Sequence, residues 1–167
     1  CAGYGAGFLY VSRALIASRR PRTIGWLSVQ DPFTFERVRY RLLTSNRRVE
    51  LGCPSFGPIF ALGAAVRFLN GIGMARIEAR VLALNALLTD ALRAAGIDVR
   101  SPGGAHRSGE TLAAVPDPPA AAAFLKARGV AVTEKAEGVR LATHFYNDER
   151  DVERGVAALA EYVRGSR

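Results

Sequence analysis

MARIEARVLALNALLTDALRAA, residues 74–95, is the stretch from which the rest of the chain can be placed. Ile77, Val81, Leu84, Leu88 and Leu92 recur at steps of four, three, four and four, which is one face of an α-helix. Arg76, Glu78, Arg80, Asp90 and Arg93 fall off that stripe, and Gly96 is a good C-terminal stop. At 1.5 Å per residue the helix is about 33 Å long, enough to run past one small domain and into another.

Downstream of this helix the pattern becomes strand-like. Residues 97–100 read as a strand, followed by a Gly-rich turn at 101–105 and a second strand at 111–115. Asp117-Pro118 is a cap followed by proline at the first helical position, and the Ala-rich helix it opens ends at Gly129. Residues 130–133 and 139–142 read as two more strands joined by a turn containing Gly138. Asn147 is the expected cap of a last helix, with Asp148, Glu149 and Asp151 in its first turn, where acids suit the dipole. Val152, Val156, Leu159 and Val163 give that helix a buried face. Residues 97–167 therefore read as a small α+β unit with a sheet of about four strands covered by helices.

Upstream, residues 58–70 carry a stripe of Ile59, Leu62, Val66 and Leu69, while Ala61, Gly63, Ala64 and Ala65 leave little polar face. A helix apolar on most sides is a buried helix. Phe8-Leu9-Tyr10-Val11, bounded by Gly7 and Ser12, reads as a short buried strand. Residues 26–50 are irregular, with Asp31-Pro32 as a turn signal.

With 167 residues the chain is one domain, or one small domain and part of another. Apolar residues make up 49% and charged residues 23%, which excludes wholesale disorder and collagen-like or coiled-coil classes. No stretch approaches the roughly 20 apolar residues of a membrane helix, so no membrane partner is expected. The net charge is +8, and only two of the 23 basic side chains, Lys126 and Lys135, are lysines. Such a charge suits an anionic partner, but dispersed arginines equally make a solvated surface. The one dense segment is Arg37, Arg39, Arg41, Arg47 and Arg48, with only Tyr40 as an aromatic platform inside it. Cys1 and Cys53 form no CxxC pair, and His106 and His144 are far apart, so no metal site is expected. Two reduced thiols point to the cytoplasm. The chain opens with Cys1 rather than Met and shows no signal pattern, which suggests a trimmed sequence.

Four features could carry chemistry. Gly3-Tyr4-Gly5-Ala6-Gly7 precedes a strand rather than opening a helix, the wrong order for a phosphate loop. Residues 50–58, Glu-Leu-Gly-Cys-Pro-Ser-Phe-Gly-Pro, run into the apolar helix. There Ser55 and free backbone N–H groups could hold an anion or simply make an ordinary helix entry. Arg140 stands inside a strand between Val139 and Leu141; it either snorkels out at the sheet edge or forks onto a carboxylate in a site. His144, close by, reads as a structural hydrogen-bonding residue.

Three separated segments, in order along the chain, resemble the C-terminal part of class V aminotransferase-fold enzymes that use pyridoxal phosphate, the group of cysteine desulfurases, kynureninases and isopenicillin N epimerase-like proteins. CAGYGAGFLYV looks like the segment just after the family's cofactor-binding lysine. RRVELGCPSFGPIFALGAAVRFLNGIGMARIEARVLAL looks like its glycine-threonine loop, helix and connecting helix, and VRLATHFYNDERDVERGV looks like its arginine and Tyr-Asn ending. The resemblance implies an α/β fold. Residues 1–73 are then the end of the large cofactor-binding domain with a dimer-contact loop, 74–95 the connecting helix, and 96–167 a small C-terminal α+β domain with an antiparallel-rich sheet.

The same resemblance implies roles. Arg140 falls on the arginine that binds the substrate's α-carboxylate, with Tyr146-Asn147 matching the Tyr-Asn pair. Cys53 falls where many members have a threonine reaching the cofactor phosphate of the neighbouring subunit. A thiol is a weaker donor, so Gly52, Ser55 and the loop backbone are expected to share that contact. The cofactor-binding lysine is expected before Cys1. Lys126 and Lys135, in the small-domain region, cannot replace it, so the chain alone is expected to be catalytically inert. The loop 133–138, TEKAEG, lacks the cysteine that desulfurases use, so sulfur transfer by persulfide is not expected. The expected activity is that of a homodimeric pyridoxal-phosphate enzyme acting at the amino-bearing carbon of an amino acid, by transamination, epimerisation or elimination. The alternative from another class is a small basic nucleic-acid-binding module.

Overall fold

The computed structural model describes residues 3–34 and 40–166. The chain divides into two compact units, residues 1–71 and 72–167.

In the first unit α1 (Arg13–Ser18) is a short helix whose start is fixed by Ser12; the Ser12 hydroxyl accepts from the Leu15 N–H at 3.3 Å. Two 3₁₀ turns, Trp26–Ser28 and Asn46–Val49, and a single bridge between Val29 and Leu42 organise the irregular middle. Ser28 is fully buried between them: its hydroxyl donates to the Glu50 carbonyl at 3.0 Å and accepts from the Gly25 N–H at 3.0 Å. Gly25 lies so close to the backbone of Leu51 that a Cβ there would come within 1.7 Å of its carbonyl oxygen, so the contact admits only glycine.

The strand expected at 8–11 does not form. Phe8, Leu9 and Tyr10 carry no regular secondary structure and are exposed, and among the described residues no segment pairs with them in a ladder. A strand is defined by its partner, and hydrophobic residues alone cannot make one. The apolar helix is present as α2 (Phe56–Ile72), two residues longer at each end than the pattern suggested. It is not the buried helix expected. Only Ala65 is buried, while Phe60 and Phe68 are 74% and 58% exposed.

The second unit opens with α3 (Met74–Ala94), which starts and stops as its stripe dictates. It packs with β1 (Glu110–Ala114), α4 (Pro118–Ala127), β2 (Thr133–Lys135), β3 (Gly138–Ala142) and α5 (Glu149–Gly165). The sheet is antiparallel, in the order β1-β3-β2. The pleat sends Val139 and Leu141 of β3 and Ala113 of β1 to one face, where Leu84, Leu88 and Leu92 of α3, Leu125 of α4 and Val152 and Leu159 of α5 close over them. Fully burying each such leucine contributes about 1.5–3 kcal/mol. A buried polar pair beside this core is satisfied: Asn85 donates to the Thr111 hydroxyl at 2.8 Å.

Three expectations shift here. The fourth strand at 97–100 is reduced to one bridge, Val99 to Ala113, flanked by Arg100 N–H to Leu112 carbonyl and Ala114 N–H to Asp98 carbonyl at 2.9 Å each. Beyond it the Ser101 hydroxyl takes the Leu112 N–H at 2.8 Å, so a side chain ends the ladder. β2 begins at Thr133, not at residue 130, because the Val130 N–H is spent closing α4 onto the Leu125 carbonyl. The cap of α5 is Asp148, not Asn147: the Asp148 carboxylate accepts from the Asp151 N–H at 2.9 Å.

Candidate functional site

Alternation along β3 places Arg140 on the face opposite the core, between Leu112 of β1 and Thr133 of β2, its partners in register. The strand holds its backbone on both sides, so only the side chain is free to move. Its Nη1 forms an ion pair with Oε1 of Glu110 at 3.0 Å, with the arginine side chain 36% and the glutamate 56% exposed. Glu110 stands opposite Ala142, diagonal to Arg140 on the same face, within reach of two long side chains. The Arg140 Nε is enclosed and makes no hydrogen bond among the described residues.

The segment after β3 is a tight turn built by Asn147. Its Oδ1 accepts from the His144 N–H at 2.9 Å, its own N–H donates to the His144 carbonyl at 3.0 Å, and its Nδ2 donates to Asp151 at 3.0 Å. That amide, with the Asp148 N–H, lowers the Asp151 pKa, and Arg154 lowers it further. Arg80 of α3 ties the turn down through the Asn147 carbonyl at 3.0 Å and a two-pronged contact with Glu149 at 2.5 and 3.2 Å. The Arg80 hydrogen bonds lower the Glu149 pKa, and the same pairing raises that of Arg80. The expectation that His144 is a structural hydrogen-bonding residue is not met by its ring: only its main chain bonds to Asn147, its Nδ1 is buried with no hydrogen-bond partner among the described residues, and the ring stacks on Tyr146 with centroids 4.4 Å apart. Tyr146 is 72% exposed.

The loop at 52–55 belongs to the first unit. Cys53 is exposed, and the Ser55 carbonyl accepts from the Ile59 N–H as α2 begins. Neither the Cys53 thiol nor the Ser55 hydroxyl has a hydrogen-bond partner among the described residues. The first-turn amides of residues 56 and 57 face the same entry, whereas Pro58 has no N–H. This donor set suits a phosphate group. Residues 1–71 contain no lysine. Lys126, in the last turn of α4, and Lys135, at the end of β2, are both exposed in the second unit.

The dense arginine segment is partly spent internally. Arg47 pairs with Glu50 at 3.6 Å, and Arg48 donates to the carbonyls of Ile16 and Arg19. Arg37 and Arg39 lie outside the described residues, as does Cys1. Among the described residues no cluster of His, Cys, Asp and Glu could hold a metal ion, and no single helix is long and apolar enough to cross a membrane. Sequence reasoning missed Glu110. The partnership depends on the β1–β3 register, and a glutamate opening a strand carries no mark of what it will oppose.

The sequence model of the aminotransferase class-V family matches residues 1–154. An uncharacterized aminotransferase of Bacillus subtilis (strain 168), YcbU, is 27% identical over 158 residues, covering 93% of this chain and 41% of that protein. Isopenicillin N epimerase of Amycolatopsis lactamdurans is 28% identical over 170 residues, covering 94% of this chain and 43% of that protein. Among solved structures, the apo cysteine desulfurase from Thermococcus onnurineus NA1 shares the fold, with a TM-score of 0.83 at 24% identity over 93% of this chain and 42% of that one. The chain thus spans about two fifths of the length of these relatives. A match running through nearly the whole sequence, on a fold shared with the family's structures, makes this chain a member of the aminotransferase class-V family, whose enzymes work with pyridoxal phosphate.

Proposed function

We propose that residues 1–167 supply the substrate-carboxylate site and a phosphate-contacting loop of a pyridoxal-phosphate enzyme that acts at the amino-bearing carbon of an amino acid, by transamination, epimerisation or elimination. The observation that carries this is Arg140, a guanidinium fixed mid-strand on the face of the sheet that the second unit's own helices leave uncovered. An arginine there can grip a planar carboxylate through two parallel hydrogen bonds and so set the tilt of the amino-bearing carbon. Pyridoxal phosphate, when bound, supplies the electron sink that makes a bond to that carbon breakable. The chain's own task is to orient. Ser55, Cys53 and the amides opening α2 hold the phosphate end, in our reading that of a neighbouring subunit in a homodimer, and Arg140 holds the substrate. The attachment lysine is placed outside residues 1–167, and the assembly in the cytoplasm. The β2–β3 loop holds no cysteine, which favours these reactions over persulfide sulfur transfer.

The test is Arg140→Lys in a polypeptide of the relatives' length that carries these residues. Charge is kept and the fork is lost. We expect a raised KM and a kcat lowered by up to about 100-fold for amino acids, since small misplacements cost that much, and little change with an amine lacking the carboxylate. Equal losses for amino acid and amine would show that Arg140 supports the sheet and not the substrate.

A further inference from the structure

We infer that Glu110 is an internal occupant of the carboxylate site: it holds Arg140 in the resting protein, must be displaced by an incoming carboxylate, and disfavours substrates carrying a second negative charge. The inference rests on the reading of Arg140 as the carboxylate-binding residue and adds a residue that sets its selectivity.

Three observations converge. The Glu110 Oε1 sits 3.0 Å from the Arg140 Nη1, the distance and chemistry a substrate carboxylate would adopt. Arg140 is only partly satisfied by it, because its Nε is enclosed with no acceptor among the described residues. The glutamate thus offsets the guanidinium's charge without engaging its side edge, which is idle. The diagonal placement of residues 110 and 140 on one face of an antiparallel pair leaves the glutamate within reach of the guanidinium. The pair is about half exposed, so its attraction is screened and exchange is easy.

The consequences follow from charge. With Glu110 in place the charge of Arg140 itself is offset, so a monocarboxylate is held by geometry more than by that charge. Once pushed aside, Glu110 remains at the rim as an anion. A neutral or cationic side chain is accepted there, and an acidic one is repelled. Glu110 thereby lowers affinity for every carboxylate and lowers it most for dicarboxylates.

The test is made on the 167-residue chain carrying Phe60→Glu on the exposed flank of α2, to keep it dispersed, by titrating acetate and succinate while following the Arg140 Nε–H resonance by NMR, assigned by its loss in Arg140→Lys. In Glu110→Gln we expect acetate to bind about three- to fivefold more tightly, the range of an exposed pair, and succinate to gain more than acetate. Glu110→Asp, which keeps the charge on a shorter arm, should gain for acetate and still discriminate against succinate. Equal affinities in wild type and Glu110→Gln, with both abolished by Arg140→Lys as read on the remaining backbone resonances of β3, would overturn the role of Glu110 and leave the carboxylate site standing. Binding that survives Arg140→Lys would remove the carboxylate site and this inference with it. Equal gains for acetate and succinate would overturn the selectivity. Unchanged circular dichroism across the variants is the control for folding.

Discussion

Cys53 sits exposed at the entry of α2, beside a serine hydroxyl and helix amides that suit an anion. A thiol donates weakly, a threonine hydroxyl well, and a carboxylate repels a phosphate. In a polypeptide of the relatives' length, Cys53→Thr should keep or tighten pyridoxal-phosphate affinity and Cys53→Asp should weaken it at least tenfold, both measured by equilibrium dialysis. Equal affinities for the two variants would take the loop out of the site. A single side chain can also change its meaning with context. Asn147 reads as a helix cap from its position before three acids, yet it folds back as the centre of the turn, and its neighbour Asp148 takes the cap. Both have the right chemistry, and only the path of the chain decides which one faces the free amides.

At the scale of elements, α5 is held at its start by reciprocal bonds. Asp148 accepts from the Asp151 N–H, and Asp151 accepts from the Asp148 N–H and from Asn147. Asp148→Ala should lower the stability of the second unit by about 1 kcal/mol, measured by urea denaturation. The same hydrogen bonds predict a pH dependence. The pKa values of Asp151 and Glu149 are lowered in the folded chain. Their contribution is therefore fully present above the ordinary carboxylate range and is lost as pH falls through the lowered folded values. Thermal midpoints should drop on acidification through that range, and the gap between wild type and Asp151→Ala should narrow as they do. A gap independent of pH would mean that Asp151 contributes as a neutral hydrogen-bonding group and not as an anion. In β3, Gly138 is set by packing, since a Cβ there would come within 2.0 Å of the Ala113 carbonyl. Gly138→Ala should push β1 and β3 apart and broaden the resonances of both strands.

On the scale of the whole molecule the two units differ in kind. The second has a continuous core, in which Leu159 is fully buried; Leu159→Ala should cost about 2–5 kcal/mol by the loss of packed methyls and the cavity left behind. The first leaves α2 uncovered along much of its length, with Phe56, Phe60 and Phe68 exposed. An apolar helical flank of that size drives association in water. Residues 1–167 should therefore self-associate at micromolar concentration in analytical ultracentrifugation, and Phe60→Glu should reduce it. A stable wild-type monomer would contradict this. Mixed with pyridoxal phosphate, the chain should give no stoichiometric, borohydride-trappable adduct at a single residue, because its two lysines, Lys126 and Lys135, are both exposed on the surface of the second unit.

The sequence by itself determined the elements whose signals are local. The stripe from Ile77 to Leu92, the Asp117-Pro118 entry and the acids at the head of α5 each act within a few turns of backbone, and each element formed where its signal stood. The motifs around Arg140 and Cys53 were legible for the same reason, as contiguous residues carrying a family resemblance. Tertiary structure decided whatever depends on a partner distant in sequence. Among the described residues Phe8 to Val11 have no neighbouring strand and form none, residues 97–100 keep one bridge where Ser101 ends the ladder, and α2 stays exposed because burial needs a covering layer. Glu110 stands beside Arg140 for the same reason. Thirty positions separate it from Arg140, and only the antiparallel register, fixed by burial of the opposite face, brings the two charges together.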